Sequence, residues 1–251
     1  VYVKKLLLAV VAVALTACST IPNYRSLASK VVPTNVELIG DFYNLWTGET
    51  RPDAAYCSGV VVSPTRVITA AHCTEAAKTI PVQQGVAIFD GKIKLRLGNG
   101  KVVLAKILVS DFKEEGGVLA RDVALLEVEE GGLGKVAELG DSDSVAVGDQ
   151  VAIVGNTFGE LKHSFTIGVV SYIHRQLPVG NFFQTDALSG GGNSGGPVFD
   201  MNGKVVGILT RGGGGVSLFI PINEVVTQLA EALRNGKQER AHGTEATNQG
   251  S

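Results

Sequence analysis

Short apolar runs cut by turn-forming residues constrain the fold of this 251-residue chain more than any other feature. β-Branched-rich runs occupy Val36–Trp46, Tyr56–Ser63, Arg66–Ala70, Val86–Phe89, Ile93–Leu97, Val102–Val109 and Val123–Glu129. A second series occupies Gln150–Gly155, Ser164–His174, Phe182–Thr185, Val198–Phe199, Lys204–Thr210 and Val216–Pro221. The pairs Asp90-Gly91, Asn99-Gly100 and Asn202-Gly203 accept the positive φ that tight hairpins demand. Helical periodicity is clear only at the end. There Asn223 can cap a helix over about 224–234, with Val225, Val226, Leu229 and Leu233 on one face and Gly236 as a stop. The pattern predicts an all-β fold of paired barrels, one over about 36–130 and one over about 148–222, joined through the Gly- and Asp-rich stretch 131–149.

The N-terminus reads as an address. Lys4 and Lys5 precede the apolar run Leu6–Leu15, which is too short to span a bilayer as a mature helix. The run ends in Leu15-Thr16-Ala17-Cys18, which resembles a lipoprotein box, so residues 1–17 are expected to be a signal peptide and Cys18 a lipidated N-terminus. An ordinary secretory signal is the alternative. In a Gram-negative cell, Ser19 after the lipidated cysteine points to the outer membrane, facing the periplasm or the surface. Residues 18–34, polar and punctuated by proline, are expected to be a tether, and residues 236–251 a disordered tail.

Lipidation would leave Cys57 and Cys73 as an even pair in an oxidising compartment. A bridge closing a loop of that size contributes ~3 kcal/mol. Two buried free thiols are the alternative; the bridge is favoured because Cys73 directly follows His72, where it would hold that histidine in place. The balance of 22 basic to 24 acidic residues carries no basic stripe interleaved with aromatics, so a nucleic-acid partner is unsupported. His72, His163, His174 and His242 are scattered, which disfavours a metal site, and no cofactor is expected.

The chemistry concentrates in two stretches. Gly192-Asn193-Ser194-Gly195-Gly196-Pro197 offers a serine on a glycine-hinged turn, and Thr69-Ala70-Ala71-His72-Cys73 offers a histidine at the end of an apolar run. A serine hydroxyl needs a base to take its proton, and the tetrahedral oxyanion it forms needs preset donors. Asp122, opening the run Val123-Ala124-Leu125-Leu126, is preferred over Asp90 and Asp111 as a carboxylate to orient the histidine. The Gly212–Gly215 run reads as a flexible cleft rim, since no Gly-Lys-Ser/Thr follows.

These two blocks and Arg121-Asp122-Val123-Ala124-Leu125-Leu126 resemble the three active-site blocks of the trypsin-like serine peptidases, in that family's order of His, Asp, Ser. The resemblance spans about Val36–Arg234 and is closest to the bacterial HtrA/Deg type. Gln184-Thr185-Asp186-Ala187, Val154-Gly155-Asn156-Thr157-Phe158-Gly159 and Phe219-Ile220-Pro221-Ile222-Asn223 carry that likeness. It implies a chymotrypsin-like fold of two six-stranded antiparallel β-barrels with a C-terminal helix. It also implies Ser194 as nucleophile, His72 as general base and then acid, and Asp122 as the group that orients His72. The N–H groups of Gly192 and Ser194 would form the oxyanion hole, and Thr210 would hydrogen-bond Asp122.

Leu188, at the base of the family's primary pocket, would with Thr210 and Arg211 line the substrate site. No acidic residue stands there, which disfavours cleavage after Arg or Lys and favours a small or medium apolar residue; Arg211 could instead attract acidic groups. Asn193 stands where the digestive branch has an aspartate, so no activating N-terminal cut is expected. About fifteen residues follow the helix, too few for the PDZ domain usual in the HtrA/Deg type. The resulting expectation is a lipid-anchored serine endopeptidase acting on exported or cell-envelope polypeptides. The rival is a non-catalytic, surface-anchored binding protein on a protease scaffold.

Overall fold

The structure is a computed structural model that describes residues 23–248 except 45–46, 76–79, 83–84, 89–92, 116–117, 130 and 178–179. The signal segment, the lipidation candidate Cys18 and the Asp90-Gly91 turn lie outside the described residues.

Where a tether is expected, residues 24–34 are folded. Helix α1 (Tyr24–Val31) runs into a 3-10 turn at Val32–Thr34, and Asn23 Oδ1 caps it by accepting the Ser26 N–H at 3.0 Å. Leu27 and Val31, one helical turn apart, are buried in the same cluster as Phe199 and Val205. The Lys30 ammonium donates to the Asn202 carbonyl at 2.5 Å. Two apolar side chains at i, i+4 spacing suffice to dock a short helix once a hairpin turn far along the chain receives it.

The first barrel comprises β1 (Asn35–Asn44), β2 (Thr50–Ser63), β3 (Arg66–Thr69), β6 (Ile93–Arg96), β7 (Val102–Glu115) and β8 (Val118–Val128). A one-turn helix α2 (His72–Glu75) and the hairpin β4 (Ile80–Val82)–β5 (Gly85–Ile88) interrupt the series. Antiparallel pairing runs β1-β2-β3-β8-β7-β6 and returns to β1, a closed six-stranded ring, with the β4–β5 hairpin added along β1. The second barrel comprises β10 (Gln150–Thr157), β11 (Leu161–Leu177), β12 (Gly180–Thr185), β13 (Pro197–Phe199), β14 (Lys204–Gly213) and β15 (Val216–Pro221). It closes in the order β13-β10-β11-β12-β15-β14 back to β13, and the short β9 (Glu138–Leu139) adds in parallel beside β14. This is the predicted pair of six-stranded antiparallel barrels.

Each barrel has its own core. Val36, Leu38, Val61, Val67, Leu95 and Leu126 fill the first, and Val151, Ile153, Val170, Phe183, Val198 and Phe219 fill the second. A third cluster joins them: Val60, Ile68 and Val123 of the first barrel pack with Ala152, Val154 and Ile208 of the second. Helix α3 (Ile222–Asn248) seals this seam with Val225 and Leu229. It differs from expectation at both ends. It begins at Ile222, and Asn223 serves the chain before β10 instead of capping, its Nδ2 reaching Asp141 Oδ1 at 2.8 Å. It also continues to Asn248, because Gly236 does not take the left-handed turn of a stop and Lys237-Gln238-Glu239-Arg240-Ala241 are good helix formers.

A polar tie crosses the seam at His163, whose Nδ1 lies 3.1 Å from Asn35 Oδ1. Burial pulls its pKa below the ordinary value, opposed by the nearby Glu37 and assisted by Lys162. The unfolded chain therefore binds the proton more readily, and stability falls as pH drops through about 6.5, levelling below the folded pKa. Urea midpoints from pH 7.5 to 5.0 should decline less steeply in His163→Gln than in the wild type; equal slopes would exclude this contribution.

Candidate active site

Strand β3 ends at Thr69, and Ala70 and Ala71, both fully buried, carry the chain over the top of the first barrel to His72. Thr69 pairs with Ala124, which brings Asp122 on β8 under the start of α2. Asp122 is fully buried and uses both oxygens on one residue: Oδ1 accepts the His72 backbone N–H at 2.8 Å, and Oδ2 lies 2.8 Å from Nδ1. Nδ1 thus faces a carboxylate that can only accept, which puts the proton on Nδ1 and leaves Nε2 with its lone pair. The Cys57–Cys73 disulfide, Cα atoms 6.1 Å apart, ties α2 to β2. Cys57, His72 and Cys73 also bring potential metal ligands together, but both sulfurs are spent in the bridge.

Ser194 sits on the loop between β12 and β13. Gly190–Asn193 forms a turn closed by the Asn193 N–H on the Gly190 carbonyl at 3.2 Å, with Gly192 at φ +90°, the backbone of a type II turn, which needs glycine there. The carbonyls of this turn are held from outside. Phe158 N–H donates to Gly191 at 2.5 Å, the Ser58 hydroxyl to Gly192 at 2.8 Å, and Ser58 N–H to Ser194 at 2.8 Å. Among the described residues no protein acceptor takes the N–H of Gly192 or of Ser194. Two unspent amides beside a serine hydroxyl can stabilise an oxyanion.

Asn193 is buried, its amide exchanging hydrogen bonds with the Thr157 hydroxyl at 3.1 and 3.2 Å. Gly195, at φ +81°, presses this loop against the histidine strand: a Cβ there would lie 2.1 Å from Thr69 Oγ1 and 2.3 Å from the Ser58 carbonyl oxygen. Gly195→Ala is accordingly expected to destabilise by about 1–3 kcal/mol and to displace Ser194. Thermal midpoints and turnover check it, and an unchanged midpoint would show that the loop yields freely.

The Ser194 hydroxyl is turned onto the Thr210 carbonyl at 3.5 Å, and among the described hydrogen bonds none joins it to the imidazole. The expected Thr210–Asp122 hydrogen bond is not made; Thr210 Oγ1 is buried without a partner among the described residues. A bulge between Leu209 and Arg211 against β15 reorients this part of β14 and leaves the Thr210 carbonyl, not its hydroxyl, serving the site.

Nearby, the Ser189 and Ser217 hydroxyls meet at 2.7 Å, and Gly212 lies so close to Ser189 that a Cβ could not be accommodated. Leu188, expected at a pocket base, is 64% exposed. It is Ser189 that turns inward. Arg211 is half-buried. Asn156 and Thr157, named from the sequence only as part of the HtrA/Deg likeness, contact Ser58 and Asn193 here, and the sequence reading does not single out Ser58 at all. The sequence signal at Ser58 is a lone serine hydroxyl inside the apolar strand run Tyr56–Val62.

Residues 57–208, more than half of the chain, match the family described as Trypsin-like peptidase domain. The chain belongs to the trypsin-like peptidases. This trypsin-like peptidase is 38% identical over 198 residues to a "Probable periplasmic serine endoprotease DegP-like" of Halomonas elongata, a match covering 75% of this chain and 37% of the relative. It is 42% identical over 159 residues to a protein of the same name from Ectopseudomonas mendocina, covering 59% and 31%. The chain thus spans roughly a third of the length of these curated relatives. Among solved structures, the HtrA-type protease AlgW with tripeptide aligns with TM-score 0.65 at 26% identity, over 86% of this chain and 65% of AlgW. The form with decapeptide gives 0.68 at 24% identity over 85% and 68%, a likeness of fold.

Proposed function

We propose that this trypsin-like peptidase is a serine endopeptidase that cleaves exported or envelope polypeptides. The observation that carries the reading is His72, clamped through ring and backbone by the two oxygens of Asp122, beside a turn whose Gly192 and Ser194 amides are unspent among the described residues. Rotation of the Ser194 hydroxyl from the Thr210 carbonyl toward Nε2 starts the reaction. Nε2 takes the proton as Oγ attacks the scissile carbonyl carbon, and the two amides receive the oxyanion. Imidazolium, stabilised by Asp122, then protonates the leaving amine. Water repeats the sequence on the acyl-serine, restoring Ser194 and releasing the carboxylate product.

With Ser189 and Ser217 rather than a carboxylate inside the pocket region, the residue preceding the cleaved bond is small or medium and apolar, and Arg211 at the cleft edge favours acidic groups nearby. The Asn193–Thr157 pair supports activity without an N-terminal cut, since an amide and a hydroxyl here satisfy each other with no incoming ammonium. The relatives' naming as periplasmic supports an envelope location, and the Leu15–Cys18 box supports a lipid anchor at Cys18. Among the described residues no helix is long and apolar enough to cross a membrane.

A fluorophosphonate probe should label the wild-type chain and not Ser194→Ala, and the wild type alone should degrade an unfolded protein substrate. Equal labelling of both would overturn the proposal. Metabolic palmitate incorporation, lost in Cys18→Ala, tests the anchor separately.

A further inference from the structure

Ser58 lies in β2 between the disulfide cysteine Cys57 and Gly59, and is fully buried. A serine hydroxyl has one hydrogen to give and two lone pairs to offer. All three are used across the seam between the barrels. The hydroxyl donates to the Gly192 carbonyl at 2.8 Å and accepts from the Asn156 backbone N–H at 3.0 Å and from Asn156 Nδ2 at 3.3 Å. Its backbone is equally committed: its N–H donates to the Ser194 carbonyl at 2.8 Å, and its carbonyl accepts the Thr69 hydroxyl at 2.7 Å. One residue of the first barrel therefore holds the carbonyls on either side of Asn193.

A carbonyl fixed in direction fixes its whole peptide plane. Phe158 N–H sets the plane before the Gly192 Cα, and the Ser58 hydroxyl sets the plane after it. The Gly192 N–H lies in the plane that Phe158 holds, and the Ser58 hydroxyl anchors the plane on the other side of the Gly192 Cα; with no Cβ to restrict the dihedrals between them, both contacts are needed to keep the turn, and with it that N–H, in place. The same strand carries Cys57, bridged to the residue after His72, so β2 serves both halves of the site. Granted the endopeptidase reading, on which this rests, we infer that Ser58 is a positioning residue for the oxyanion turn. It touches no substrate and acts through Gly192 and Ser194.

Ser58→Ala keeps the N–H to Ser194 and leaves the Gly192 carbonyl and Asn156 without their partner. Deleting an oxyanion donor outright costs about 10²–10³ in turnover. Misaiming one is expected to lower kcat about 10- to 100-fold with KM within about twofold. A peptidyl trifluoromethyl ketone, which forms a tetrahedral adduct with the serine, should weaken by the same factor, while a cleaved-product peptide binds within about twofold of wild type.

Ser58→Thr retains a hydroxyl and should stay within about threefold of wild type. Rates are taken per folded molecule, well below each thermal midpoint, and Ser58→Gly replaces the alanine variant should that chain not fold. Wild-type turnover with unchanged turnover in Ser58→Ala, equal weakening of ketone and product peptide, or a threonine variant as impaired as alanine would each overturn the inference. A wild-type chain that the fluorophosphonate fails to label would instead remove the endopeptidase reading beneath it.

Discussion

Asp122→Asn is expected to lower turnover about 10⁴-fold while leaving the fold and KM nearly intact. The size follows from how the carboxylate is used. One oxygen accepts the His72 backbone N–H and the other faces Nδ1, both at 2.8 Å, and the carboxylate itself is buried. An asparagine has only one acceptor to give. Keeping its oxygen on the backbone N–H turns the amide NH₂ toward Nδ1, which must then accept, and the imidazole proton moves to Nε2. That tautomer cannot take a proton from Ser194. Flipping the amide instead sets NH₂ against the backbone N–H and loosens α2. Either arrangement also removes the negative charge that stabilises imidazolium. Steady-state kinetics on a short peptide substrate, with circular dichroism and thermal midpoints as controls, measure the effect. A loss under tenfold in a folded variant would mean that Asp122 only supports the loop and that the proton leaves Ser194 by another route.

The barrel strands were legible because their burial follows chemistry that a sequence displays. Ile93–Arg96 alternates buried and half-buried in the period of a strand with one face inward. Cys57–Val61 and Val151–Thr157 are buried throughout, since these stretches face a barrel core on one side and the inter-barrel seam on the other. Such continuous runs name a strand without saying what lies on each face. Ring closure is a further step: the return of β1 to both β2 and β6 depends on bulges at Leu38/Ile39 and Gly40/Phe42, and no local residue pattern announces them. Helix α1 was illegible for a related reason. Its buried pair Leu27 and Val31 acquires meaning only from Phe199 and Val205, late in the chain.

The candidate site divides the same way. His72, Asp122 and Ser194 stand in recognisable blocks, and the structure brings His72 and Asp122 into direct contact. Side-chain partners were read less well. The family resemblance implied a bond from the Thr210 hydroxyl to Asp122, yet a one-residue bulge made the carbonyl the useful atom. Leu188 pointed to the pocket by position, whereas neighbouring Ser189 is the residue held inside. Both residues lie in the loop after β12, where no strand period assigns a facing side.

Removing the Cys57–Cys73 bridge should destabilise by about 3 kcal/mol, since the cross-link denies the unfolded chain the freedom of a loop closed at a sequence separation of 16. For a domain of this size that corresponds to a thermal midpoint lower by roughly 6–12 °C. Cys57→Ala/Cys73→Ala should melt in that range below the wild type, and a dithiol reductant should lower the wild type but not the variant. The bridge also bears on chemistry, because the loop it closes holds β3 and delivers His72 at its end. Cys73 Sγ lies 3.7 Å from the Ser194 carbonyl oxygen, so the sulfur packs against the Ser194 loop as well. Well below both midpoints, however, Asp122 still grips His72 through ring and backbone. Turnover in the double variant should therefore fall far less than in Asp122→Asn. A variant that melts like the wild type would show that packing alone supplies the constraint. One as inactive as Asp122→Asn while fully folded would make the cross-link, and not the carboxylate, the element that positions the base.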